Sequence, residues 1–249
     1  MRRVIAAEAL KLRTTRTFYG VVIGALALIA IIAVGAAAAG TWEPGVEPAQ
    51  DLLGIATLAQ TFALILGILA VSTEFRHGTI TPSLLVVPSR ARLVAAKLVA
   101  HVLAGLLLGI AAFALTVVLM AVVFAIRGID SGLGAGGVPE TVIGGIAACG
   151  LYAALGVGLG ALVRNQVGAV VGALGWVFVV EPLIGIVPGI ADEVGRYGLN
   201  GVTEGLGATS FDGTSDLLGQ VPAGLLLTAY AAVFVVLGAL VLRRRDVSA

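Results

Sequence analysis

The sequence predicts an all-α membrane protein with six transmembrane helices and both termini in the cytoplasm. Composition is the first reason. Of 249 residues 59% are hydrophobic and 12% charged, and the mean hydropathy is +1.09, outside the range of water-soluble domains. The second reason is a set of charge-free runs at 17–42, 52–73, 98–126, 141–163, 165–191 (interrupted only by Glu181) and 217–242. Each reaches the roughly 20 residues that cross about 30 Å of hydrocarbon, and each far exceeds the roughly 10 residues of an outer-membrane strand. The third reason is charge asymmetry. With the N-terminus inside, the cytoplasmic segments hold Arg2, Arg3, Lys11, Arg13, Arg16, Arg76, Arg90, Arg92, Lys97, Arg164, Arg243, Arg244 and Arg245, whereas the outer loops hold only Arg127 and Arg196. Positive charge in short loops stays inside, so both ends are expected there. The net charge of +1 conceals this polarity and argues for no nucleic-acid partner.

Residues 1–17 read as an interfacial elbow helix. Val4, Ile5, Ala9 and Leu12 fall near one face and Arg2, Arg13 and Arg16 near another, a pattern that lies along membrane lipids with its cations toward anionic headgroups. The first span is expected at 18–40. It follows positive charges and ends in Ala36, Ala37 and Ala38, but its apolar core exceeds that of a cleaved signal peptide, so a retained anchor is expected. The second span is placed at 54–73.

Between the second span and the third, at 98–126, lies "STEFRHGTITPSLLVVPSRARLVAAK", 72–97, polar and twice interrupted by proline. Thr81 followed by Pro82 suits an N-cap and first helical position. Pro88 stops that helix with Val87 extended before it, and Ser89 can cap the next. A short helix, Pro82 to Val86, is therefore expected on the cytoplasmic side with Leu84, Leu85 and Val86 exposed. An apolar tip on a charged loop suggests a docking surface; a loop dipping into the lipid interface is the plainer alternative.

The fourth and fifth spans are expected at 141–163 and 167–188, joined tightly through "RNQVG". Gly156 with Gly160 and Gly168 with Gly172 have the small-xxx-small spacing of close helix packing. The fifth span holds Glu181, followed by Pro182. A carboxylate at this depth is costly and must face the bundle, pair or take a proton, and the proline should kink or break the helix. Glu181 is a candidate for the translocation pathway, with a structural hydrogen bond or proton coupling as alternatives. An outer loop at 189–220 and a sixth span at 221–242 complete a single unit, residues 1–249.

The 72–97 stretch resembles the signature of membrane subunits of type-2 ATP-binding cassette (ABC) transporters, in Glu74, Gly78, Thr79, Pro88, Arg90 and Lys97. "EALKLRTTRTF", with Glu8, Lys11 and Arg16, is similar to the start of that family. The resemblance implies a permease, an exporter by analogy, in a bacterial cytoplasmic membrane. It implies an ATPase-coupling role for Glu74, Gly78, Thr79, Leu84, Leu85, Pro88, Arg90 and Lys97, with Glu8, Lys11 and Arg16 on the elbow. It also implies an ABC ATPase subunit carrying ATP and Mg, and a second permease copy or a related one. Substrate would contact the second and fifth spans. The chain has no G-x-x-x-x-G-K-[ST] loop, so any ATP site belongs to another chain, and no cofactor of its own is expected.

His77, His101 and the lone Cys149 match no familiar metal spacing; Cys149 and His101 read as packing residues. "GATSFDGTSD" lacks a hydrolase nucleophile motif. An ion-coupled secondary transporter or channel using Glu181 is the competing function; an intramembrane enzyme and a membrane scaffold have less support.

Overall fold

The computed structural model describes residues 1–40, 48–134, 136–163, 165–208 and 217–244. Trp42, Glu43, Glu47, Arg164, Asp212, Asp216 and Arg245 lie outside these. Among the described residues every regular element is helical: α1 Arg2–Thr14, α2 Arg16–Ala39, α3 Pro48–Ala56, α4 Ala59–Arg76, α5 Ile80–Val86, α6 Arg90–Arg127 and α7 Val138–Val163, then α8 Gln166–Gly175, a π-helical turn Trp176–Val180, α9 Glu181–Gly185, α10 Ala191–Tyr197, α11 Leu199–Gly207 and α12 Gln220–Arg244. Six stretches are long and apolar enough to cross a membrane: Arg16–Ala39, Leu52–Arg76, Arg90–Arg127, Val138–Val163, Gln166–Gly185 and Gln220–Leu242.

The bundle is built around α7, which packs on α4, α6 and α12. Lipid tails are as apolar as leucine, so helices associate in a membrane through close van der Waals contact and small side chains. Gly156 and Gly160 meet the backbone of Leu64 and Ile68 on α4, and Gly67 answers against Ala153; a methyl group at any of these would overlap main-chain atoms. On its other side Gly158 abuts Phe234 of α12. Cys149 is fully buried and fits against Gly109 of α6, a packing role. Gly168 and Gly172, in contrast, meet no neighbouring helix. Their spacing marks no packing seam within this chain, because α8 presents that face outward.

Helix ends follow local chemistry. α4 stops at Gly78, whose φ of +67° is open to a residue without Cβ. Thr79 N–H then bonds Glu74 O (2.9 Å) and Gly78 N–H bonds Phe75 O (3.3 Å), the paired closure of a Schellman turn. Near Pro182 the regular α-helix of the fifth span is interrupted between Gly175 and Glu181. Proline lacks an N–H and crowds the carbonyl four residues back, and the backbone relieves this by widening into the π turn Trp176–Val180, with Glu181 N–H reaching Trp176 O.

Two ends of the bundle differ in content. One gathers α1, α5 and the C-terminal end of α12. At the other, Arg127 closes α6 onto the carbonyls of Ala37 (2.6 Å) and Gly40 (3.1 Å) at the end of α2, cation against helix C-terminus. The same far end contains the region expected as an outer loop with room for short helices. There α10 and α11 form a helical hairpin against the bundle: Thr203 takes a hydrogen bond from Tyr152 OH (2.9 Å), mid-way along α7, and Tyr197 O takes one from Tyr230 of α12 (2.7 Å). Gly201, Val202, Thr203, Gly205, Leu206 and Gly207 of α11 are buried.

Candidate functional site

On α1 the part-buried residues are Val4, Ile5, Ala9 and Leu12, with Glu8 buried among them at 3% exposure. This stripe, three and four residues apart, belongs to a helix that packs on α6. The reason lies in Glu8: an acid in the middle of the apolar face needs a cation, and α6 supplies one.

That cation is Lys97, one turn-set inside α6 and 2% exposed. Its Nζ donates to Glu8 Oε2 (2.9 Å), Glu74 Oε1 (2.7 Å) and Ala70 O (3.0 Å). All three donors of the ammonium are used. Lys11 of α1 donates to Glu8 Oε1 (2.8 Å) and Glu74 Oε1 (2.7 Å). Two carboxylates and two ammoniums thus close a ring that ties the elbow helix to the end of α4 and the start of α6. His101, buried one turn further along α6, bonds Lys97 O through Nδ1 (2.9 Å). A cleft of about 140 Å³ lies beside the ring, lined in part by Phe18, Leu66 and His101.

Such burial is tolerated only because the charges balance. Burial pushes the Glu8 carboxyl up, but the charge of Lys97 and hydrogen bonds from Lys11 and Lys97 outweigh it and hold the group below its ordinary range. Burial likewise draws the Lys11 ammonium down, yet its bonds to Glu74 and Glu8 leave it raised. Replacing such a ring with apolar residues can be neutral; removing one member leaves an uncompensated charge.

Between the ring's Glu74 and Lys97 runs the α5 segment. The helix starts at Ile80, two residues before the expected Pro82, and Thr79, not Thr81, precedes it without a side-chain cap. Proline is acceptable anywhere in a first turn, whose N–H groups have no intrahelical partner, so its position did not fix the start. Ile80 is the anchor, 4% exposed. Val87 is extended before Pro88, and Ser89 caps α6 by accepting from Arg92 N–H (3.4 Å).

The expected coupling residues separate into two sets. Thr79, Leu85 and Pro88 are exposed, with Gly78 at the turn; Leu85 and Val86 are the apolar tip at 78% and 82% exposure. Leu84 is half-buried, contrary to expectation, because it lies on the side of the helix turned toward the bundle. Glu74 and Lys97 are buried in the ring, and Arg90 Nη1 donates to Leu242 O (2.5 Å) at the end of α12. These three tie the segment to the bundle, Glu74 and Lys97 from buried positions and Arg90 from a half-buried one. Arg16 is exposed and outside the ring. Reading the residues one by one missed that Glu8, Lys11, Glu74 and Lys97 are a single cluster, and missed the carbonyl of Ala70 that completes it and that of Leu242 that receives Arg90.

Glu181 stands at the far end, 4% exposed. Its Oε1 accepts from the backbone N–H of Asn200 (2.6 Å), whose side chain donates to Val177 O (2.9 Å). Gly198 precedes α11 and offers no capping side chain, so the Glu181 carboxylate serves the first turn of that helix from another element. A Cβ at Gly198 would lie 2.5 Å from Glu181 Oε1. Asn200 carried no signal beyond being a polar residue in a glycine-rich stretch. A second cleft of about 440 Å³ runs from Ile32 and Thr61 to Phe178 and Asn200.

In comparison with known proteins, the model of a family described as "ABC-2 family transporter protein" matches residues 4–180, well over half of the chain. No curated protein matches it.

Proposed function

The chain belongs to the ABC-2 transporter family, a family of multi-pass membrane permeases, and from that premise we propose that it couples a separate ABC ATPase to export across a bacterial cytoplasmic membrane. The observation that carries the reading is the α5 segment. A seven-residue helix with Leu85 and Val86 outward is pinned at both roots, by Glu74 in the ring on one side and by Lys97 and Arg90 on the other. A tip that is apolar, exposed and rigidly mounted fits a groove on a partner better than it fits lipid. In this reading the end bearing α1, α5 and the end of α12 is cytoplasmic, as the distribution of Lys and Arg supports.

Closure of an ATPase pair around ATP and Mg would push on Leu85 and Val86. The push passes to α4 and α6 through the two roots, and the ring carries α1 along with them. Glu74 and Lys97 therefore act in coupling by holding the segment, while Gly78, Thr79, Leu84 and Pro88 shape it. Glu8 and Lys11 make the elbow part of the moving unit; Arg16 faces the headgroups. Two permease copies, this chain twice or with a relative, would enclose the substrate route between their second and fifth spans. Support for that arrangement is the outward apolar face of the fifth span, where Val167, Val171, Phe178 and Leu183 are each more than half exposed.

The test is purification of the tagged chain from its own membrane after crosslinking, followed by assay of bound ATPase. Recovery is expected from the native chain and should fall at least about tenfold, roughly 1.4 kcal/mol, for Leu85→Asp with Val86→Asp, both being solvent-facing and harmless to the fold. If no ATPase accompanies the native chain, the coupling reading fails and an ion-driven transporter using Glu181 takes its place.

A further inference from the structure

The π turn of the fifth span and the hairpin of α10 and α11 exchange hydrogen bonds at the far end of the bundle. In a regular helix Glu181 N–H would bond Val177 O, four residues back. Here it reaches Trp176 O instead, and Val177 O loses that donor. In the wide count, five residues on, the partner of Val177 O is Pro182, which has no N–H. Asn200 of α11 meets the carbonyl: its side-chain amide donates to Val177 O (2.9 Å). Glu181 in turn caps α11, its Oε1 accepting from Asn200 N–H (2.6 Å). A third bond belongs to the same geometry. The Trp176 indole also bonds the Glu181 carboxylate; a regular helix sets residues five apart about 140° around its axis, and the wide turn brings this pair together.

Glu181 N–H and the Asn200 side chain therefore compete for one carbonyl. The regular register gives Val177 O to Glu181 and leaves Phe178 O opposite Pro182, without a donor. The wide register leaves Val177 O, and the hairpin supplies what is missing. Irregular backbone within a span persists only where protein or a cavity meets its polar groups. Either register costs the span one donor, so the bond from the hairpin decides between them.

We propose that the wide turn is one of two registers of the fifth span and that the α10–α11 hairpin is the latch that selects it through Asn200. Docked, the hairpin holds the turn wide. Released, it returns Val177 O to Glu181, the turn regularises, and the span beyond it rotates on the order of 100° for one residue of register. Val177, Phe178, Asn200 and Thr203 line the cleft of about 440 Å³ that runs to Thr61, so the latch sets the shape of that cleft.

The experiment measures spin-label distances on the full chain in nanodiscs, where buried Cys149 stays unlabelled. One pair, Val171→Cys with Ile186→Cys, flanks the wide turn and reads the register. The other, Asp192→Cys with Val221→Cys, reads the hairpin against α12. All four positions are exposed. Each pair should give one narrow distribution in the otherwise native chain. Asn200→Leu, which removes the donor at similar size, should shift the first pair by several ångström and broaden the second. Trp176→Phe alters no residue of the hairpin, yet should move both pairs in the same sense and by less; it decides where Asn200→Leu does not fold. Movement of one pair without the other, or of neither, overturns the proposal, since Asn200 would then hold the hairpin without setting the register. No ATPase takes part, so the result is independent of its recovery through Leu85 and Val86.

Discussion

The two buried acidic sites of this molecule sit at opposite ends and are completed differently. Near α5, Glu8 and Glu74 share two ammoniums and their four ion pairs close on one another. At the far end Glu181 is met by the backbone N–H of Asn200 and by the side chain of Trp176, and in both places one carboxylate oxygen, Oε2 of Glu74 and of Glu181, is buried without a donor. The two buried acids therefore differ in the kind of group that meets them, ammoniums at one end and a backbone N–H with an indole at the other. The kind of partner matters because an unmet charge in a low-dielectric site is costly, and an ammonium offsets it more fully than a neutral donor.

The sharpest way to break this contrast is Lys97→Met. It leaves two buried carboxylates with only the half-exposed Lys11, and should cost about 3–5 kcal/mol, read as a large fall in the thermal midpoint of the detergent-solubilised chain. Tolerance of that change would mean the ring is not structural. Gly198→Ala comes next, at about 1–3 kcal/mol, because the new methyl group meets both Glu181 and the main-chain oxygen of Val194. Protease cleavage between α10 and α11 should rise with it.

Glu181→Gln should cost about 1 kcal/mol, since the amide oxygen still accepts from Asn200. A cost like that of Lys97→Met would place Glu181 with the structural acids. Lys11→Met is the mildest, at about 0–1 kcal/mol, because its side chain is 48% exposed and Lys97 remains with both acids.

pH sharpens the comparison further. The lowered Glu8 contributes stability that is present above its ordinary 4.5 and lost as pH falls through the depressed value. The raised Lys11 contributes stability present below its ordinary 10.5 and lost as pH rises through the elevated one. Facing them are Glu74, Lys97 and, beyond these, His101. A spin label at exposed Leu10 should keep constant mobility from about pH 5 to about pH 10 and loosen outside that window. Cys149 is buried and does not compete for the label. Loosening near neutrality would contradict a ring held by Glu8 and Lys11.

Much of the fold was legible because a membrane imposes length and apolarity on each span, and charge-free runs display both. The hairpin of α10 and α11 was not. Its buried positions on α11 include Gly201, closely apposed to Gly195 of α10, and Gly205, closely apposed to Leu218 and Ala223; glycine allows such approach while lowering helix propensity, so the stretch reads as a loop. All four members of the ring stood out individually. Their union did not, since Glu8 and Lys97 are 89 positions apart and nothing in either segment's spacing names the other. Pro182 announced a local disturbance, and only the backbone shows that it is absorbed as a wider turn.

One consequence follows from α6. It runs unbroken for 38 residues, about 57 Å at 1.5 Å per residue, nearly twice the hydrocarbon thickness. Its base carries Arg90 and Lys97 and its tip is locked to α2 through Arg127. Such a helix is a lever: pivoted near the ring, a tilt of about 5° would displace the tip by roughly 4 Å over its remaining length. Force applied beside α5 is then felt on the other side of the bilayer as displacement, with no need for any helix to bend.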